Sequence, residues 1–258
     1  MKNELLVKFT KFLESIGASE DTDNKDSRGT GFRSRELANY IEAARLGRVT
    51  GITRHQLLVD DKIPYTSQNS SACINMETSQ IQAVISYSRI YLLKESAVGA
   101  DVGLCVIDSE KLDKDILSWG SRAKEEVLEI SDARSQAIQK GIFLEGLTGT
   151  GGGIIGALAA VGLRSGGNDG RFIWMRGKDL RELQGIFNFW EIKSLVPIDS
   201  IQTEYGNEIS PESRVNFGQW VRPVLKNNKI VIIVEPSKEI HSYEWEVASK
   251  DIIKKISN

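Results

Sequence analysis

Residues 146–162 read GLTGTGGGIIGALAAVG, and the rest of the chain is interpreted outward from them. The first half is a glycine loop. The second half, GIIGALAAVG, is apolar on every side, the pattern of a helix buried all round and packed closely through small residues. A glycine loop that opens a helix lets backbone N–H groups approach an anion, and the helix N-terminus favours negative charge there. The stretch is therefore a candidate phosphate site. No Lys-Ser/Thr pair follows, so this is not a Walker loop. G-x-G-x-x-G matches at Gly151–Gly156, but the sequence shows no clear strand before it and no acidic residue about 20 positions later, as a dinucleotide fold requires. The plainer reading of the same glycines is a turn that permits close helix packing.

Upstream, Leu5, Phe9, Phe12, Leu13 and Ile16 recur at helical spacing and stop at Gly17, which predicts a short amphipathic helix over 4–16. Residues 18–34 read as a loop, and Arg35–Arg45 as a helix. Strands are expected over Thr50–Val59, Ala72–Met76 and Val102–Ile107, and helices over Ser79–Leu93, Lys111–Ile130 and Asp132–Gly141. This alternation predicts an α/β fold, a layered mixed sheet with helices, in which the sheet is partly parallel. Downstream, RSGGNDG at 164–170 has linker composition and marks a soft boundary. A strand is expected over Arg171–Arg176, a helix over Leu180–Trp190, and extended chain over Ile192–Ser200. A hairpin follows over Val215–Glu235, turning at Asn227-Asn228, and a lysine-rich helix over 244–256 closes the chain. The expected division is a kinase-like α/β domain over 1–165, with a smaller α+β region over 166–258 that is either separate or completes the first.

The chain has 258 residues, 40% apolar and 26% charged, with a formal charge of −2. That is ordinary globular composition and offers no bulk attraction to nucleic acid. No apolar run approaches the roughly 20 residues that span a bilayer, and the N-terminus lacks a small-residue cleavage site. A soluble, cytoplasmic protein without membrane contact is expected. Cys73 and Cys105 sit in apolar, strand-like surroundings and read as buried free thiols. His55 and His241 are the only histidines. No cluster has zinc-ligand spacing, so no zinc is expected.

Glu20, Asp21 and Asp23 place three carboxylates within four residues. Hard divalent cations such as magnesium take such oxygen ligands while keeping several waters. Arg28-Gly29-Thr30-Gly31 follows and would add a cation and backbone donors for phosphate. A solvated acidic turn is the plainer reading. His55, next to Arg54, reads as structural more readily than as a general base. The run Thr66-Ser67-Gln68-Asn69-Ser70-Ser71 has many small polar groups suited to a neutral or polar ligand, or is an ordinary polar loop. The five tryptophans are scattered and read as core packing. Lys250, Lys254 and Lys255 read as a solvated helix face.

Taken together, EDTD…RG, then Ile63-Pro64-Tyr65, then GGGIIGALAAVG at 151–162 resemble the archaeal agmatinylcytidine synthetase family, which modifies the wobble cytidine of an isoleucine tRNA. That family reads roughly GIDDTDS…RG.CTT, then IPYKTRGN, then GRGLIGALAAVG. The resemblance covers about residues 17–176. It implies an ATP- and magnesium-dependent phosphotransfer fold, built in that family from kinase-like and ferredoxin-like domains with an OB domain and a zinc ribbon. Glu20, Asp21 and Asp23 would ligand magnesium, with Asp21, Asp23 and Arg28 serving the chemistry. Gly29, Thr30, Gly149, Gly151, Gly152 and Gly153 would lie against the nucleotide.

This sequence departs from the pattern at several positions. Phe32 stands at the place of the family's reactive threonine. Thr66, Gln68 and Gly152 stand where the family has cations. With two cysteines, no zinc ribbon is expected in this sequence, and about 80 residues of other structure are expected after residue 176. Phosphoryl transfer depends on positioning and charge neutralisation. These losses argue for a small-molecule substrate and against direct tRNA binding. The expectation is an ATP-using phosphotransferase or ligase. The alternatives are a catalytically silent ligand-binding or assembly protein, and an RNA-modifying enzyme that borrows RNA binding from a partner. A homo-oligomer stays open.

Overall fold

The computed structural model describes residues 29–63, 69–96, 99–218, 220–238 and 242–257, together with the backbone path of 3–10. The chain divides into two compact units, Met1–Ser165 and Gly166–Asn258.

The first unit is built on five antiparallel strands. β1 (Asn3–Thr10) lies between β3 (Ser70–Thr78) and β4 (Gly103–Asp108); β2 (Arg48–Gln56) pairs with β3, and β5 (Phe143–Gly146) with β4. The expected helix over 4–16 is corrected here, because Asn3–Thr10 is a strand paired on both sides. NELLVKFT carries period-two alternation as well as helical spacing, and long-range pairing with β3 and β4 decides between them. The parallel component expected in this half is also absent among the described pairs. A strand leads into the glycine loop after all. β5 has only four half-exposed or exposed residues, too few to show as a periodic run.

Helices cover both faces of this sheet. Cys105 and Ile107 of β4 and Cys73 of β3 join a core with α3 (Lys114–Arg122), α4 (Ile130–Lys140) and α5 (Gly153–Gly166). The alternate residues Ile74, Met76, Leu104 and Val106 point the other way along the pleat. On that side α1 (Thr30–Ala43) and α2 (Ile81–Glu95) bury Leu37, Ile41, Val84 and Leu92. Both cysteines are fully buried and neither forms a disulfide, as expected. The expected long helix over 111–130 stops at Arg122, and a turn carries the chain to Ile130.

α5 is the buried small-residue helix anticipated from the sequence. Residues Ile154 and Gly156–Leu163 are all buried. Burying Ile154, Leu158, Val161 and Leu163 stabilises the unit by roughly 1.5–3 kcal/mol apiece. Gly162 permits a tight crossing with α3, since a Cβ there would lie 2.1 Å from the Ile116 carbonyl oxygen.

The second unit mixes strand directions. β11 (Val224–Lys226) and β12 (Lys229–Pro236) form a hairpin at the expected turn, but its first arm begins at Val224 and not at Val215, because Val215–Phe217 pairs with other strands. Asn227 and Asn228 both take left-handed φ, 51° and 60°, the backbone of a two-residue primed turn. β11 also pairs with β6 (Arg171–Met175), and β7 (Lys178–Asp179) pairs with β6. β9 (Ser200–Thr203) runs parallel to β12. β13 (Trp245–Val247) runs antiparallel to β12 and parallel to β10 (Val215–Phe217), which also pairs with β8 (Gly185–Phe187). The sheet elements of the chain are thus mixed in direction, and its parallel pairs lie in this unit. The helix expected over 180–190 is instead a 3-10 turn, β8, and then α6 (Phe189–Leu195). Asn188 and Glu191 form a reciprocal capping box that fixes the start of α6. α7 (Lys250–Ser257) closes the chain. Among the described residues, no helix is long and apolar enough to cross a membrane.

Candidate functional site

The glycine loop between β5 and α5 is stitched to the segment before β4. Leu147 N donates to the Val102 carbonyl at 2.7 Å, the Thr148 hydroxyl donates to the Ala100 carbonyl, and Val102 N donates to Thr148 Oγ1 at 3.1 Å. This brings Asp101 under the loop, where it is 7% exposed. Gly151 N and Gly153 N donate to Asp101 Oδ1 at 3.0 and 3.3 Å. Gly152 N donates to Oδ2 at 3.2 Å, and the Thr150 hydroxyl donates to the same oxygen. Only glycine fits at 153, where a Cβ would lie 2.4 Å from the Asp101 carbonyl oxygen.

The predicted anion cradle therefore forms at the N-terminus of α5, and an internal carboxylate fills it. The chemistry is that expected of a phosphate: negative charge against three successive amides and a helix dipole. Each Asp101 oxygen receives two donors, which uses the acceptor capacity of both. Sequence reasoning misses Asp101, although it is the lone charge in the run SAVGADVGLCVI.

Beside this cradle lies a cavity of about 260 Å³ in the first unit. Its walls include Leu57 and Ile63 after β2, Leu128 and Ile130 at the start of α4, and Ile155 in the first turn of α5. Thr150, Gly152 and Asp101 form its polar side. The Trp119 indole donates to the Ile155 carbonyl at 3.2 Å and braces that wall. Asn69 also lines the cavity and is 5% exposed. Its Nδ2 donates to the Leu58 carbonyl at 2.9 Å, which fixes the amide orientation. Asn69 Oδ1 is buried without a hydrogen-bond donor among the described residues.

The other candidate residues lie elsewhere. Gly29 and Thr30 begin α1, and Gly29 occupies its N-cap with extended backbone and no side-chain cap. Neither residue lines the cavity. One turn on, Arg33 is buried and pairs with Glu36 and Glu95 at 2.9 and 2.8 Å. The Tyr91 hydroxyl donates to Glu36, and burial followed by that bond pushes the phenol well above its usual range. Glu20, Asp21, Asp23 and Arg28 lie outside the described residues, as do Pro64, Tyr65, Thr66, Gln68 and His241. His55 is fully buried on β2, 2.8 Å from the Thr53 hydroxyl, in a structural setting. Trp119 and Trp174 are buried in their cores, whereas Trp190 is 55% exposed, against the reading of all five as core.

No known protein family description matches the chain. A curated relative, an uncharacterized protein of Methanocaldococcus jannaschii, is 28% identical over 158 residues; the match takes in 59% of this chain and 51% of that protein. Among solved structures, a tRNA fluorescent labeling enzyme matches with a TM-score of 0.49 at 22% identity. TiaS, an agmatidine synthetase for an isoleucine tRNA, matches in its complex with that tRNA, AMPCPP and agmatine at 0.48 and 21%, and in its complex with that tRNA and ATP at 0.49 and 21%. Each covers 62% of this chain and 36% of the solved one. The chain thus spans about half the length of the curated relative it matches and about a third of these enzymes.

Proposed function

We propose that this chain is an ATP- and magnesium-dependent enzyme of the phosphoryl-transfer or ligase type, cytoplasmic, and acting on a small molecule. The observation that carries the reading is the start of α1. The acidic run Glu20-Asp21-Thr22-Asp23 and then Arg28 precede a 14-residue helix whose N-terminus has no side-chain cap. The first amides of a helix lack intrahelical partners and favour anions. In this assignment Glu20, Asp21 and Asp23 supply hard oxygen ligands to magnesium. Arg28 and the amides at Gly29 and Thr30 bind phosphate oxygens and neutralise charge that develops on them. The amides of Gly151, Gly152 and Gly153 serve Asp101, so phosphate fits the α1 end better than the glycine loop. The motif resemblance to agmatinylcytidine synthetases supports the class of reaction, and the lost cations support a substrate smaller than tRNA.

Calorimetry with ATP, with and without magnesium, tests the reading. The expected result is magnesium-dependent binding that Asp21→Ala abolishes. Absence of nucleotide binding at millimolar ATP with magnesium, or an Asp21→Ala variant that binds unchanged, overturns it. One observation favours a second reading. Because Asp101 fills the glycine cradle, a ligand-binding protein without turnover also fits, and it predicts ligand affinity with no release of phosphate or pyrophosphate from ATP.

A further inference from the structure

Arg33 and Glu95 join the start of α1 to the end of α2, and each carries its charge at the helix end that disfavours it. Helix N-termini favour anions and C-termini favour cations. Arg33 nevertheless closes the first turn of α1, which holds no acidic residue, and Glu95 is the last residue of α2. Neither placement is one that its own helix dipole supports. The Arg33 side chain is 8% exposed and meets the Glu95 carboxylate at 2.8 Å and the Glu36 carboxylate at 2.9 Å. Two local rules broken together for one contact between helices point to a functional constraint on that contact.

We infer that Arg33 is a positioning residue, which through Glu95 holds the uncapped start of α1 in place for the phosphates of the nucleotide. The inference rests on the nucleotide reading above. The buried apolar residues of α1 begin only at Leu37, whereas α2 is held along its length by Val84, Ile85 and Leu92. Ahead of Leu37, the ion pair with Glu95 ties the first turn of α1 to an element that the core already fixes. The Arg33 amide donates to the Gly29 carbonyl at 3.1 Å, the first bond of the helix, so a shift of Arg33 carries the Gly29 and Thr30 amides with it. Glu36 has a tether of its own, since the Tyr91 hydroxyl donates to it. Arg33 therefore keeps a neutralising partner when Glu95 is removed. The direction of the helix start can be altered without leaving a buried charge alone.

The test measures ligand affinity by calorimetry and the thermal midpoint, on the full chain and three variants. Glu95→Ala is expected to keep nearly the unaltered midpoint. It should weaken magnesium–ATP and magnesium–tripolyphosphate by the same factor, roughly tenfold, because both present phosphates to the displaced amides. Glu95→Gln keeps an acceptor for Arg33 and is expected to recover most of that affinity. Arg89→Ala breaks a different ion pair of α2, with Glu145, and is expected to change neither affinity. A purely structural tie would instead lower the midpoint and leave the affinity of the folded protein intact. The inference is overturned, and the nucleotide reading left standing, if Glu95→Ala binds as the unaltered chain does or fails to fold. A loss that Arg89→Ala shares, or that Glu95→Gln does not recover, has the same consequence. No magnesium–ATP binding by the unaltered chain overturns the nucleotide reading itself, and the inference with it.

Discussion

Asp101 Oδ1 receives the amide hydrogen of Gly151 at 3.0 Å, and its two oxygens also take the amides of Gly153 and Gly152 at 3.3 and 3.2 Å. Glycine loops that open helices are read as phosphate sites because they present converging donors to an anion. Here the anion is part of the chain and arrives from the segment before β4. The acceptor that stabilises the loop is therefore built into the chain and does not depend on a ligand.

Removing it should expose the cradle. Asp101→Ala leaves buried donors without an acceptor and should lower stability in urea by about 3 kcal/mol. The same variant should recover part of that loss in inorganic phosphate, which gains the vacated amides, whereas the unaltered protein should not respond. An unchanged urea midpoint for Asp101→Ala would show that the carboxylate does not hold the loop.

Gly162 tests the close crossing of α5 and α3. A Cβ there would lie 2.1 Å from a backbone oxygen, which cannot rotate away. Gly162→Val should cost about 3 kcal/mol through overpacking. At Gly166, the end of the same helix, a Cβ would meet no atom within 4 Å. Gly166→Ala should leave the thermal midpoint unchanged or slightly raised.

Acid should loosen the second unit through Glu191. Its bond from the Asn188 backbone amide, then its pairing with Arg214 at 2.7 Å, lowers its pKa from the ordinary 4.5. A carboxylate with a depressed folded pKa contributes stability above its unfolded pKa and loses it as pH falls through the folded one. Urea midpoints should therefore drop as pH falls below 4.5, and Glu191→Gln should flatten that part of the profile. Parallel profiles for the two proteins would exclude the role.

Much of this architecture is legible in the sequence because it is local. The apolar circumference of GIIGALAAVG marks α5, and two asparagines mark the β11–β12 turn. β1 is illegible because its identity comes from pairing with β3 and β4, at Met76 and Asp108 opposite Leu5, and local spacing equally suits a helix. β5 is illegible because four residues cannot establish a period. For the site, the donors at Gly151–Gly153 are visible as glycines, but the acceptor is not. Asp101 lies about 50 residues upstream and reaches them only through folding. Asn69 is one of several small polar residues in its run, and only the folded structure shows that its Oδ1 has no donor among the described residues.

Among the described residues, the starts of α1 and α5 would make opposite demands on an anion, which separates them experimentally. The start of α1 has no side-chain cap and follows Arg28, whereas the start of α5 is closed by Asp101. If nucleotide phosphate sits at α1, Arg28→Ala removes charge-assisted bonds worth about 1.5–3 kcal/mol and should weaken magnesium–ATP binding by roughly tenfold or more. Asp101→Ala should leave that affinity within about twofold, because sites without shared partners act independently. The reverse pattern, with ATP binding insensitive to Arg28→Ala but enhanced by Asp101→Ala, would move the phosphate to the glycine loop. Asp101 would then be an internal competitor that the nucleotide must displace. Titrating both variants and the double variant with magnesium–ATP, and reading the dissociation constants against the unaltered chain, distinguishes the two arrangements.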